Sequence, residues 1–162
     1  MKKGYLLLVV LLCAIFVTAC GSNGYKNRST RTVEDLLDEY VDAYLKPDVE
    51  LAKDMFPKFY VEYAKDLMTQ ERLEQGLERS KEIYGDDFHI TYEVTKTTKY
   101  TEDELAELNK KMEDRYYSKV DASECYKVEG TITFVGSKDE DPDPLDTMAY
   151  CKYEGEWFLV GI

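Results

Sequence analysis

The chain has 162 residues, 21 of them basic and 33 acidic, giving a formal net charge of −12. Such a surface repels nucleic acid and anionic lipid head groups, which excludes a nucleic-acid-binding class and predicts that the domain stands away from a membrane except at any lipid anchor. The length suits one domain with a modest core, and no internal repeat or second domain is visible.

Lys2 and Lys3 precede a run from Tyr5 to Phe16 that carries no charge, and the run ends in Val17-Thr18-Ala19-Cys20. The lysines form a positive end that stays cytoplasmic, the run falls short of the roughly 20 apolar residues of a spanning helix, and Ala19 is small as a cleavage site requires. This start resembles a bacterial lipoprotein precursor of Gram-positive type. The resemblance implies a signal peptide over 1–19 and a lipidated Cys20 carrying two acyl chains, enough for stable attachment. The lipid bilayer is then a partner, and the chain sits on the cell membrane facing outside the cytoplasm. Plain secretion and an uncleaved anchor are the alternatives. Residues 20–31, polar and with two glycines, read as a lipidated cysteine and flexible tether. The 19 basic residues left after Lys2 and Lys3 stand against 33 acidic ones, a net charge of −14.

From Thr32 onward Val33, Leu36, Leu37, Tyr40, Val41, Tyr44 and Leu45 recur at three and four, which predicts an amphipathic helix with Thr32 and Asp35 as a capping box. Asp48 caps a short helical stretch over 49–56, Pro57 breaks it, and Phe59, Tyr60, Tyr63, Ala64 and Leu67 predict a further turn or two. Thr69 caps a helix whose apolar side is Leu73, Leu77, Ile83 and Tyr84; Gly76 interrupts it and Gly85 ends it. The period then drops to two. Phe88, Ile90, Tyr92 and Val94 alternate with His89, Thr91 and Glu93 on a half-buried strand. Thr101 and Glu104 box a helix running to about residue 116. Tyr126, Val128, Ile132 and Phe134 alternate on a longer strand in which Gly130 marks a bulge or a close approach. Residues 136–144 read as an acidic loop, 147–153 as a strand, Glu154-Gly155 as a tight turn and 156–160 as a final strand.

This order predicts an α+β domain over 32–162: N-terminal helices on one face of a mainly antiparallel four-stranded sheet, with a helix between the first and second strands. The stretch Thr32-Val33-Glu34-Asp35-Leu36-Leu37-Asp38-Glu39-Tyr40-Val41-Asp42-Ala43-Tyr44, the following Pro47-Asp48, and the closing Tyr153-Glu154-Gly155-Glu156-Trp157-Phe158-Leu159-Val160 resemble the NTF2-like, cystatin-related superfamily. The resemblance implies a strongly curved sheet wrapped around helices with a conical cavity. Catalytic members place acids, histidines or tyrosines there, whereas many exported members have no known catalysis. The helix between the first two strands departs from the simplest pattern of that family.

Sites are sparse. His89, the single histidine, alternates away from Phe88 and Ile90 and reads as a surface residue with no partner to make it a base. No nucleophile elbow, phosphate loop or dinucleotide fingerprint is present, and no cofactor is indicated. Asp139, Asp141, Asp143 and Asp146 have the oxygen density of a Ca²⁺ site but not the EF-hand spacing, and also fit a solvated hairpin loop. Tyr40, Tyr44, Tyr60, Tyr63, Tyr92 and Tyr126 fall on faces expected to turn inward, where they either line a ligand pocket or fill the core. Cys125 and Cys151 each fall in a predicted strand of the C-terminal sheet and either pair as a disulfide between adjacent strands or stay as buried or half-buried thiols. Function then reads as a membrane-tethered extracytoplasmic binding or accessory domain for an envelope protein, peptide or small molecule, with no assignable catalysis. The alternatives are a small cavity enzyme (isomerase or hydrolase) and a structural spacer or calcium-binding envelope protein.

Overall fold

The structure, a computed structural model, describes residues 27–161. The signal peptide expected over 1–19, and Cys20, lie outside the described residues. Five α-helices and an open antiparallel sheet follow one another: α1 (Val33–Leu45), α2 (Val49–Asp54), α3 (Lys58–Tyr63), α4 (Gln70–Tyr84), β1 (His89–Lys99), α5 (Glu102–Tyr116), β2 (Ala122–Val135), β3 (Glu140–Pro144), a 3-10 turn (Leu145–Thr147), β4 (Met148–Tyr153) and β5 (Glu156–Gly161). Local chemistry sets the helix starts. Thr32 with Asp35, and Thr101 with Glu104, make complete capping boxes, while Asp48 and Thr69 accept from first-turn amides. Each satisfies donors that the helix itself cannot.

β2 is the spine of the sheet. Tyr126–Val135 of it pairs with β1, and its other edge is shared, β3 pairing with Thr131–Val135 and β4 with Ala122–Lys127. β5 closes the sheet beyond β4, giving the order β1-β2-β4-β5 with β3 on β2. The four strands expected are therefore five, and the acidic loop expected over 136–144 contains β3. Proline and aspartate are tolerated there because β3 is an edge strand exposed along its length. Pro142 and Pro144, two residues apart, share one direction and leave the amides between them to face β2.

Strand alternation sorts the core onto both faces of this sheet. One face gathers Ile90, Val128, Ile132 and Leu159 against Val33, Leu36 and Leu37 of α1 and Tyr84 of α4. The opposite face gathers Cys125, Ala149, Cys151, Tyr153, Phe158 and Val160 against Leu108, Met112 and Tyr116 of α5, with Phe59 and Tyr60 of α3 at its margin. The expectation of helices on one face is thus corrected: α1 and α4 cover one side and α5 the other. The reason lies in β4 and β5, which are apolar on both faces; a single helical layer would leave Cys151, Phe158 and Val160 in water. Asn109 pins α5 in place, its amide accepting from Ala122 N–H (2.9 Å) and donating to Ala122 C=O (3.1 Å). Cys125 lies opposite Cys151 across the β2–β4 ladder, and the two are joined by a disulfide beneath α5. Both are fully buried.

The residues before α1 belong to the domain. Arg31 is fully buried as a side chain; its guanidinium ion-pairs with Glu39 (3.2 Å) and Asp54 and donates to the Asp54 carbonyl (3.1 Å). Arg28 ion-pairs with Asp54 and with Glu156 (3.2 Å), and its carbonyl accepts from Trp157 N–H on the outer edge of β5 (2.9 Å). The tether expected over 20–31 therefore does not extend through Arg31, because two arginines find buried or half-buried carboxylates on α1 and α2.

Two glycines separate packing need from helix cost. A Cβ on Gly130 would stand 2.0 Å from the Glu93 carbonyl, where β1 bulges between Val94 and Lys96. On Gly76, in mid α4, it would meet only the Tyr44 hydroxyl at 3.7 Å, an ordinary contact. Thermal melts should show Gly130→Ala destabilising by about 1–3 kcal/mol through enforced backbone movement. Gly76→Ala should stabilise by about 0.5–1 kcal/mol through reduced chain entropy.

Candidate functional site

An apolar cleft of about 160 Å³ opens where α1, α2 and the α3–α4 connection meet. α1 supplies Tyr40, Ala43 and Tyr44 at helical spacing, α2 supplies Ala52, Met55 follows it, and Phe56 and Tyr60 flank Pro57. Leu67, Met68 and Leu73 close the far side. Small residues make the space: Ala43 and Ala52 are buried against Met55, so that α1 and α2 approach closely beneath the cleft. Phe56 and Tyr60 stack with ring centroids 4.5 Å apart and form one wall.

Polar groups at this cleft are few and phenolic. The Tyr44 hydroxyl lies 2.9 Å from Ser80 Oγ and 3.4 Å from the Gly76 carbonyl, which satisfies the buried serine on α4. Burial, reinforced by neighbouring Tyr44 and Asp143, pushes the Tyr40 phenol up to about 12. Tyr40 is therefore a neutral phenol at any physiological pH. The lining of this cleft is mainly apolar, with phenols as its polar groups.

Of the six tyrosines expected to turn inward, Tyr40, Tyr44 and Tyr60 line this cleft. The other three go elsewhere. Tyr92, on β1, donates to Asp38 (2.6 Å) and to the Glu34 carbonyl (3.2 Å), tying the sheet to α1; burial and then the Asp38 hydrogen bond raise its pKa. Tyr126, on β2, donates to Glu124 (2.8 Å) and lies beside Tyr150 and Trp157. Tyr63 rests on the Tyr116 ring at 5.0 Å but remains 56% exposed. The sequence pattern placed Tyr63 inward, where the structure leaves it exposed, and for the others did not show which surroundings each meets. Met55 and Phe56 carried a readable signal, an apolar pair just before the Pro57 break, and Leu73 one as part of the apolar side of α4; Ala52 and Met68 carried none.

The acidic candidates do not converge. Asp141 and Asp143 lie in β3, Asp139 precedes it in the hairpin turn, and Asp146 follows in the 3-10 turn. Among the described residues no group of three or more His, Cys, Asp or Glu side chains is placed to hold a metal ion. His89 is exposed, with Nδ1 3.0 Å from the Asp87 carbonyl. Carboxylates with displaced pKa values move downward. Asp87 is lowered chiefly by the Ser137 backbone amide, Glu124 by Lys99, and Glu104 to about 2 by Lys127 and then Thr101. No described helix is long and apolar enough to cross a membrane.

The neutral phenols set an alkaline limit. Tyr40 and Tyr150 are both pushed from the ordinary 10.0 to about 12, each mainly by burial. A raised folded pKa means that stability is complete below pH 10 and is lost as pH rises toward 12. Near-ultraviolet tyrosinate titration should resolve one class ionising near pH 10 and a second near pH 12, with unfolding setting in between; one class at pH 10 with the fold intact would contradict this. No protein family matches the chain, and no curated protein or solved structure is similar to it.

Proposed function

We propose that the chain is a lipid-anchored extracytoplasmic binding domain of NTF2-like type, acting as an accessory module that takes up one apolar side chain of a peptide or protein partner. The observation carrying this reading is the cleft lined by Tyr40, Tyr44, Met55, Phe56 and Tyr60. Its 160 Å³ is well below the roughly 300–1,000 Å³ of sites that enclose a small-molecule ligand, and suits a single side chain. Anchoring rests on the lysine pair, apolar run and Val17-Thr18-Ala19-Cys20 of the sequence. The NTF2-like assignment rests on the opening helix with its break at Pro47 and on the antiparallel meander; α5 on the second face is its departure from that pattern. The enzyme alternative requires a carboxylate held above its usual range in a cavity, whereas Asp87, Glu104 and Glu124 are all held below it.

Methionine-methyl NMR provides the test. Met55 and Met68 line the cleft, while Met112 is fully buried on the opposite face of the sheet. Titration with p-cresol, a single-ring side-chain analogue, should shift the methyls of Met55 and Met68 and leave Met112 unmoved. No saturable shift, or equal shifts at all three, would remove the cleft from the account.

A further inference from the structure

We infer that the surface formed by the end of α3, the turn after it and the end of α5 seats on the bilayer, so that the anchored domain stands in one fixed orientation. This rests on the lipid-anchored reading of Cys20. Four large hydrophobic side chains are exposed among the described residues, and three lie here: Tyr63 (56%), Leu67 (57%) and Tyr117 (90%). Tyr63 packs on Tyr116, which brings α3 beside the α5 terminus that carries Tyr117. Tyr117 caps α5 in the left-handed region (φ 52°, ψ 35°), a position that favours glycine or asparagine. A bulky aromatic held there in full exposure points to a contact outside the domain.

Charge and chain length identify the occupant. The molecule is strongly acidic overall, whereas residues 107–121 carry Lys110, Lys111, Arg115 and Lys119 against Glu107, Glu113, Asp114 and Asp121, and residues 57–68 are likewise balanced, so this surface lacks the acidic excess of the rest. Tyrosines beside lysines and arginines are the side chains that settle at the headgroup level of a membrane. The chain also enters the domain on this side. Arg28 lines one open hollow together with Lys58, Val61 and Glu62 of α3. Arg28 is eight chain steps from Cys20, a reach of at most about 28 Å. A lipid on Cys20 therefore keeps the α3 side close to the bilayer, while Asp86, in the turn after α4, lies near the opposite end of β2.

Electron paramagnetic resonance on the full chain tests the orientation. Nitroxides on Tyr117→Cys and Leu67→Cys, with Asp86→Cys as the distal control, are read in phosphatidylglycerol-containing vesicles, and mass spectrometry of the Cys20 peptide reports the lipid. The expected result is a diacylglyceryl Cys20, loss of collisions with a water-soluble nickel chelate at 117 and 67, and full collision at 86. A lipidated Cys20 with 117 and 67 as accessible as 86 would overturn the seating and leave the anchor standing. An unmodified Cys20 would overturn both.

Discussion

A buried guanidinium organises the start of this domain. Removing Arg31 from water costs several kcal/mol, and its own burial, opposed chiefly by Glu39, presses its pKa down. The charge persists because Glu39 of α1 and Asp54 at the end of α2 meet it directly. The Arg31 carbonyl in turn accepts the Tyr150 hydroxyl from β4. One residue thus ties two helices and the sheet to the point where the chain enters the domain. Arg28 shares Asp54 and reaches Glu156, so the second clamp depends on the carboxylate that holds the first.

That clamp positions the cleft as well as the entry. α2 is only six residues long, too short to be stable by itself, and it is held by its Asp48 cap and by Asp54. With α2 fixed, Ala52 and Met55 lie against Ala43 of α1, and Phe56 and Tyr60 are brought up as the cleft wall. On the far face, the disulfide between β2 and β4 and the Asn109 contacts hold α5 under the same strands. The sheet is thereby a middle layer between α1 and α4 on one face and α5 on the other, with the cleft at one margin and the exposed aromatic surface at another.

Much of the fold was legible because its signals are local. The change of period at Phe88 marks the helix-to-strand transition, and Thr32, Asp48, Thr69 and Thr101 all cap where their chemistry says they should. Three features were hidden because their cause lies in a partner distant in sequence. β3 reads as a loop because aspartate and proline disfavour strands; only the free edge of β2 makes one of it. Arg31 sits in a polar stretch indistinguishable from a linker, and its carboxylates are 8 and 23 residues away. The second helical layer was written in the apolar double face of β4 and β5, but alternation alone does not say which helix covers it. At the site, Tyr40, Tyr44 and Tyr60 were readable from helical spacing, while Tyr92 and Tyr126 share that inward signal and spend their hydroxyls on Asp38 and Glu124.

The most direct measurement is the denaturant stability of Arg31→Met, which keeps much of the side-chain volume and removes the charge. If Arg31 clamps the entry segment to α1 and α2, leaving Glu39 and Asp54 facing an apolar side chain should cost about 3–5 kcal/mol. A variant within about 0.5 kcal/mol of the parent, the range of ordinary surface substitutions, would show that the buried charge is not what holds the entry to the domain.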